Sequence, residues 1–126
     1  MAALDLSATY LCLAPSGAVT TMAVTPDFWA TIGARTELHE GRLVAVVDCP
    51  ADWNHWEMHP HGEEVLLMLS GAISMVFDQP GGETRVPLEA GKACVVPRGT
   101  WHRAIVHTPG RMLGITYGRG TEHRGR

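Results

Sequence analysis

Short apolar runs alternate with Gly, Pro and Asp punctuation along the chain, and almost nothing repeats at the 3.6-residue spacing of a helix. The pattern predicts strands over residues 18–24, 43–47, 54–59, 64–70, 72–78, 84–88, 92–96, 101–107 and 112–117. Turn signals such as Gln79-Pro80-Gly81-Gly82 and Pro109-Gly110 separate them. A helical turn is expected only over residues 26–32, with Thr25 as N-cap and Pro26 at the first helical position, where its missing N–H costs nothing. Strands this short and this regularly spaced imply an all-β sandwich or barrel.

Alternate residues of a strand share a face, so parity decides which side chains can meet. Glu57 and His59 point one way, Trp56 and Met58 the other. After Gly99, His102, Ala104 and Val106 share one face, while Trp101, Arg103, Ile105 and His107 take the opposite one, so His107 is not expected to join His102. His61 keeps the parity of His59 only if the strand runs on through Pro60. That residue has no N–H to give a ladder, and Gly62 follows, which suggests a bend. The run Val65-Leu66-Leu67-Met68-Leu69 is apolar at both parities, so both its faces are expected to be covered, one of them by a second subunit.

Composition narrows the classes. At 126 residues the chain has the size of one domain, residues 1–126, able to bury roughly two thirds of its unfolded surface. A net charge of -3 and a sequence pI near 6.1 argue against nucleic acid or an anionic membrane as partner. No lysine or arginine precedes Arg35 and no apolar run is long enough to span a bilayer, which argues against a secretory signal and a membrane anchor. Cys12, Cys49 and Cys94 are odd in number and have no paired spacing, so a cytoplasmic protein with reduced thiols is expected.

One stretch carries a resemblance. Gly91-x5-Pro97-x-Gly99-x2-His102 is similar to the second motif of the cupins, which closes on an Asn where this chain has Val106; that Asn is not a ligand in the pattern. The core of the first cupin motif, H-x-H-x4-E-x6-G, is matched by Glu57, His59, Glu64 and Gly71, with Glu57 in the place of the first histidine. A second register takes His59 and His61 as the two histidines and leaves fewer residues before Glu64. The motifs cover residues 57–71 and 91–106. The resemblance implies a small single-domain cupin with a double-stranded β-helix (jelly-roll) barrel, commonly a homodimer. It also implies a metal centre in which His59, Glu64 and His102 are ligands in either register, completed by Glu57 or His61.

Two imidazoles with one or two carboxylates form a mixed nitrogen and oxygen set suited to a divalent transition metal, Fe, Mn, Ni or Zn, with positions left open for a substrate. Glu57 is a candidate further ligand or general base, and Tyr117, at the end of a strand, a candidate hydrogen-bond donor in the pocket. Trp53, Trp56 and Trp101 read as core or interface aromatics. His55 and His123 have no assigned partner, and Cys94 has no base near it in sequence, so no cysteine nucleophile is expected. The cupin fold hosts unrelated activities, and three readings stay open. The first is a metal-dependent enzyme acting on a small oxygen-rich metabolite as a dioxygenase, isomerase or lyase. The second is a non-catalytic small-molecule-binding or sensory cupin. The third is a metal-free epimerase of the sugar-nucleotide type, with a histidine base and Tyr117 as acid.

Overall fold

A computed structural model describes residues 2–126. Its strands are β1 (Thr9–Leu13), β2 (Val19–Ala23), β3 (Arg42–Cys49), β4 (His55–Met58), β5 (Glu64–Met68), β6 (Ala72–Gln79), β7 (Gly82–Glu89), β8 (Ala93–Val96), β9 (Trp101–Thr108), β10 (Gly110–Thr116) and β11 (Glu122–Gly125). β2 to β10 fall on the nine expected strands, with ends that differ by no more than two residues. They form two sheets, a six-stranded one in the order β2-β1-β3-β10-β5-β8 and a five-stranded one in the order β11-β4-β9-β6-β7. Every pairing is antiparallel, and the two sheets close on each other as a jelly-roll barrel.

β1 and β11 are additions to the sequence reading. In β1 Tyr10 and Cys12 are buried while Thr9, Leu11 and Leu13 are half-covered, a proper alternation over a run too short to stand out beside the polar β2 it pairs with. β11 is exposed at every position, so no apolar period marks it. Its pairing with β4 and the ion pair of Arg124 with Asp78 hold it in place.

The helical turn also differs from expectation. Helix α1 (Phe28–Thr31) starts after Asp27, and the Thr25 hydroxyl bonds the Asp27 carboxylate at 2.5 Å instead of capping the turn. Phe28 decides the start: it is fully buried and meets Tyr10 edge-on with ring centroids 5.0 Å apart. Two 3-10 turns, Ile32–Ala34 and Thr36–His39, carry the chain on to β3.

The main core lies between the sheets, where Leu66 and Met68 of β5 and Met112 of β10 meet Ile73, Met75 and Phe77 of β6 and Ala104 of β9. Burying each of the larger side chains is worth about 1.5–3 kcal/mol. A smaller cluster of Tyr10, Met22, Phe28, Leu38 and Leu43 packs under α1, and Val47 touches both. Along β5, Glu64, Leu66 and Met68 face the barrel interior and Val65 and Leu67 are half-buried on the outer face.

On the outside of the five-stranded sheet, Arg103 and Arg124 lie over the Trp56 ring at 4.9 and 5.4 Å, and Arg124 also covers Trp101 at 4.6 Å. Gly71 makes the turn between β5 and β6 possible. Its φ is +77°, and a Cβ there would lie 2.5 Å from the Thr108 carbonyl oxygen. Among the described residues no helix is long and apolar enough to cross a membrane.

Candidate metal centre

Glu64 opens β5 and His102 is the second residue of β9, strands that belong to different sheets, so the two side chains meet across the barrel interior. His59 sits one residue beyond β4, where the strand gives way to a bend at Pro60. The Gly99 N–H donates to the His59 carbonyl at 2.9 Å and pins this bend to the turn before β9. Gly62 completes it: a Cβ there would lie 2.7 Å from the Cβ of Tyr117, so the loop closes only without a side chain.

The three residues are 3%, 6% and 0% exposed for His59, Glu64 and His102. Nε2 of His59 lies 3.3 Å from Oε2 of Glu64, and Nε2 of His102 lies 3.3 Å from Oε1. One ligand atom from each falls within 4.8 Å of the other two.

Hydrogen bonds behind each ring settle the tautomers. Nδ1 of His102 lies 3.0 Å from the Thr100 carbonyl, which can only accept, so Nδ1 carries the hydrogen. The Thr121 hydroxyl gives its hydrogen to the Gly118 carbonyl at 2.7 Å and therefore accepts from Nδ1 of His59 at 2.8 Å. In their neutral forms both rings therefore keep the Nε2 lone pair facing Glu64. The Thr116 hydroxyl donates to Glu64 Oε2, while Oε1 has no donor.

Nε2 of His59, Oε1 of Glu64 and Nε2 of His102 are thus three buried polar atoms without a hydrogen-bond partner, all aimed at one point. Each would cost about 1–3 kcal/mol if left so. Two neutral imidazoles and a carboxylate, each braced from behind, are a donor set that a divalent metal ion satisfies. This buried His-Glu-His group could bind a metal.

Without metal, protonation relieves the same crowding. Burial works against the charged form of Glu64, but the contacts with His102 and His59 outweigh it and bring the carboxyl down to about 2. At His59 burial opposes the cation, and the Glu64 and Glu57 carboxylates overcome this and raise the imidazole above its usual 6.5.

Glu57 faces His102 directly across β4 and β9, and its Oε1 lies 3.5 Å from Nε2 of His59 with the side chain 24% exposed. It therefore stands beside the triad on its open side. His61 is exposed and shares a shallow hollow with Tyr117 and Arg119. The Tyr117 hydroxyl is turned to the His39 carbonyl, to which it donates at 2.7 Å. His59, Glu64 and His102 are brought together with Glu57 beside them, whereas His61 and Tyr117 lie on another surface. His107 bonds Ser74 at 2.8 Å.

Thr116, Thr121 and the Thr100 carbonyl, which orient these three side chains, carried no signal in the sequence, since threonine at a strand end is commonplace. His55 and His123 also come close to Glu57, with Nε2 of each 4.0 Å from Oε2. For His55 the shared parity with Glu57 was a readable sign. Trp53, partly buried against the core, has its ring 6.0 Å from that of His102 and stacked on His55.

The cupin domain model matches residues 48–116. No curated protein sequence matches the chain. A cupin-2 domain containing protein from Shewanella frigidimarina superposes with a TM-score of 0.52 at 20% identity, covering 60% of this chain and 69% of that one. Oxalate decarboxylase of Bacillus subtilis, studied for its Mn(II) centres, gives 0.56 at 20% identity over 67% of this chain and 23% of its own. Hydroquinone 1,2-dioxygenase from Sphingomonas gives 0.51 at 18% identity over 60% and 59%. At such identities these likenesses speak for the fold. The family match takes in β4 to β10, both halves of the His-Glu-His group and more than half of the sequence, and the chain belongs to the cupin domain family.

Proposed function

We propose that this cupin is a metal-dependent enzyme acting on a small, oxygen-rich molecule, with His59, Glu64 and His102 as metal ligands. One observation carries the reading: three buried ligand atoms converge without a hydrogen-bond partner. A bound divalent ion would supply Lewis acidity toward a chelating oxygen ligand, or dioxygen chemistry if it is iron. The second carboxylate, Glu57, adds a hard anionic donor where the family pattern has an imidazole, which favours Mn(II) or Fe(II) over a softer ion. The Mn(II) centres of the oxalate decarboxylase with the same fold support that preference.

The chain's own residues divide the remaining work. Thr121 and the Thr100 carbonyl hold both imidazoles through Nδ1 with Nε2 turned to Glu64, and Thr116 holds Glu64. Glu57, at the open side and partly exposed, is the group that can accept a substrate proton where it does not itself hold an ion. Trp53 walls the site beside His102 and restricts water.

The protein acts as a cytoplasmic homodimer in this reading. The free Cys12, Cys49 and Cys94 suit a reducing compartment. Val95 of the edge strand β8, Val65 and Ile115 form an apolar cross-strand row on the outer face, with Val95 55% exposed. Metal analysis of protein purified without chelator tests the main proposal. About one equivalent of Mn or Fe, lost in His102→Ala together with turnover of a small hydroxy- or oxo-acid, supports it. Activity intact at less than about a tenth of an equivalent would refute it.

A further inference from the structure

The five-stranded sheet places His123, Glu57, His102 and Phe77 in one cross-strand row, each the register partner of the next over β11, β4, β9 and β6. Direct partners project to the same face, so His123 approaches Glu57 from the side opposite His102. His55, two residues before Glu57, shares that face as well. Nε2 of His55 and Nε2 of His123 each lie 4.0 Å from Oε2 of Glu57, and one ligand atom from each of the three residues falls within 4.8 Å of the others. The other carboxylate oxygen, Oε1, is 3.5 Å from Nε2 of His59. Glu57 thus turns one oxygen to the buried triad and the other to a second pair of histidines.

His55 is prepared for a ligand in the same way as the buried histidines. Its Nδ1 lies 3.0 Å from Oδ1 of Asn54, an acceptor, so Nδ1 carries the hydrogen and Nε2 keeps its lone pair toward Glu57. Trp53 stacks on the ring at 5.9 Å with planes 8° apart and fixes its orientation. The His123 ring lies 5.3 Å from that of His55, tilted by 58°. A pair of imidazoles with a shared carboxylate, partly open to solvent, suits a borderline divalent cation with room left for water or substrate.

We propose that His55, Glu57 and His123 form a second divalent-cation site at the barrel mouth, with Glu57 bridging it to the His59-Glu64-His102 centre. The bridge rests on the metal reading of the inner centre; the outer donor set stands on its own geometry. The outer site is the weaker of the two, since its histidines are 40% and 58% exposed and β11 is a fully exposed edge strand. Occupation would place two cations on either side of one carboxylate and give a small anionic substrate two points of attachment.

The test counts bound Zn(II). Metal-free full-length chain is equilibrated with excess Zn(II), freed of loose ion and analysed for zinc per chain. About two equivalents are expected in the unaltered protein, about one in the His55→Ala/His123→Ala double variant, and about one in His102→Ala. Circular dichroism confirms that each variant is folded. His123→Gln, which leaves the β11 backbone intact, provides the mildest version and should also hold about one. One equivalent in the unaltered protein that disappears in His102→Ala would overturn the outer site and leave the inner one standing. Two equivalents retained in the double variant would also overturn it. As a further readout, the Mn(II) resonance of the protein should lose its resolved six-line pattern as the second equivalent binds beside the first; two unperturbed six-line signals would refute the Glu57 bridge.

Discussion

The Thr121 hydroxyl sits between the Gly118 carbonyl, to which it donates, and Nδ1 of His59, from which it accepts at 2.8 Å. That one hydroxyl orients a buried histidine from a turn 62 residues away. Thr121→Val should therefore weaken metal binding by about 10–100-fold, the usual cost of removing the partner behind a ligating histidine. Thr121→Ser should restore most of it. Calorimetric titration with Mn(II) or Zn(II) distinguishes the two, and equal affinities would show that the bond is ornamental.

Thr116 supports the carboxylate in the same way. With Thr116→Val, Glu64 Oε2 loses its donor in a site that is almost dry, and the metal-free fold should lose about 1–3 kcal/mol. Urea unfolding in the presence of chelator measures this, with Thr116→Ser as control; a loss in Ser as large as in Val would point to packing of the methyl group instead.

Acid and base act in opposite senses on the metal-free protein. The folded carboxyl of Glu64, near 2, lies below its ordinary 4.5, so its contribution is fully present above 4.5 and is lost as the pH falls toward 2. His59 is raised above 6.5, so its contribution is fully present below 6.5 and is lost as the pH climbs through the folded value. Thermal melts in chelator should accordingly be highest between these limits. Metal binding requires neutral His59, so affinity should rise with pH over the range in which metal-free stability declines. Parallel pH profiles for stability and for metal affinity would contradict the assignment.

Gly71→Ala combines a left-handed backbone with a Cβ 2.5 Å from the Thr108 carbonyl oxygen. Destabilisation of about 1–3 kcal/mol or more is expected, read from the urea midpoint. An unchanged midpoint would mean that the β5–β6 turn relaxes freely.

The two parts of the molecule differed in how far the sequence exposed them. The barrel was legible because its strands are short, mainly apolar runs, such as β6 with its unbroken buried stretch from Ile73 to Phe77, separated by Gly, Pro and Asp at the turns. β11 was not, because an exposed edge strand held by main-chain pairing and Arg124 needs no apolar residue at all. The same division applies to the candidate centre. His59, Glu64 and His102 stand at motif spacing and converge, and Glu57 beats His61 to the place beside His59 because the chain bends at Pro60. Of the partners that matter to Glu57 beyond the barrel, His55 shares its parity on β4, but His123 meets it only through a strand pairing that no periodicity announces.

The long reach between His59 and Thr121 has a consequence for biogenesis. A ribosome that has delivered both motif segments has still not delivered the residue that orients His59, nor Thr116, which orients Glu64. An ion that bound at that stage would meet an imidazole free to rotate and a carboxylate without its brace. If the group holds metal as proposed, tight uptake would wait until β10 and the turn at Thr121 have docked, and bound metal would gauge completed folding rather than scaffold it.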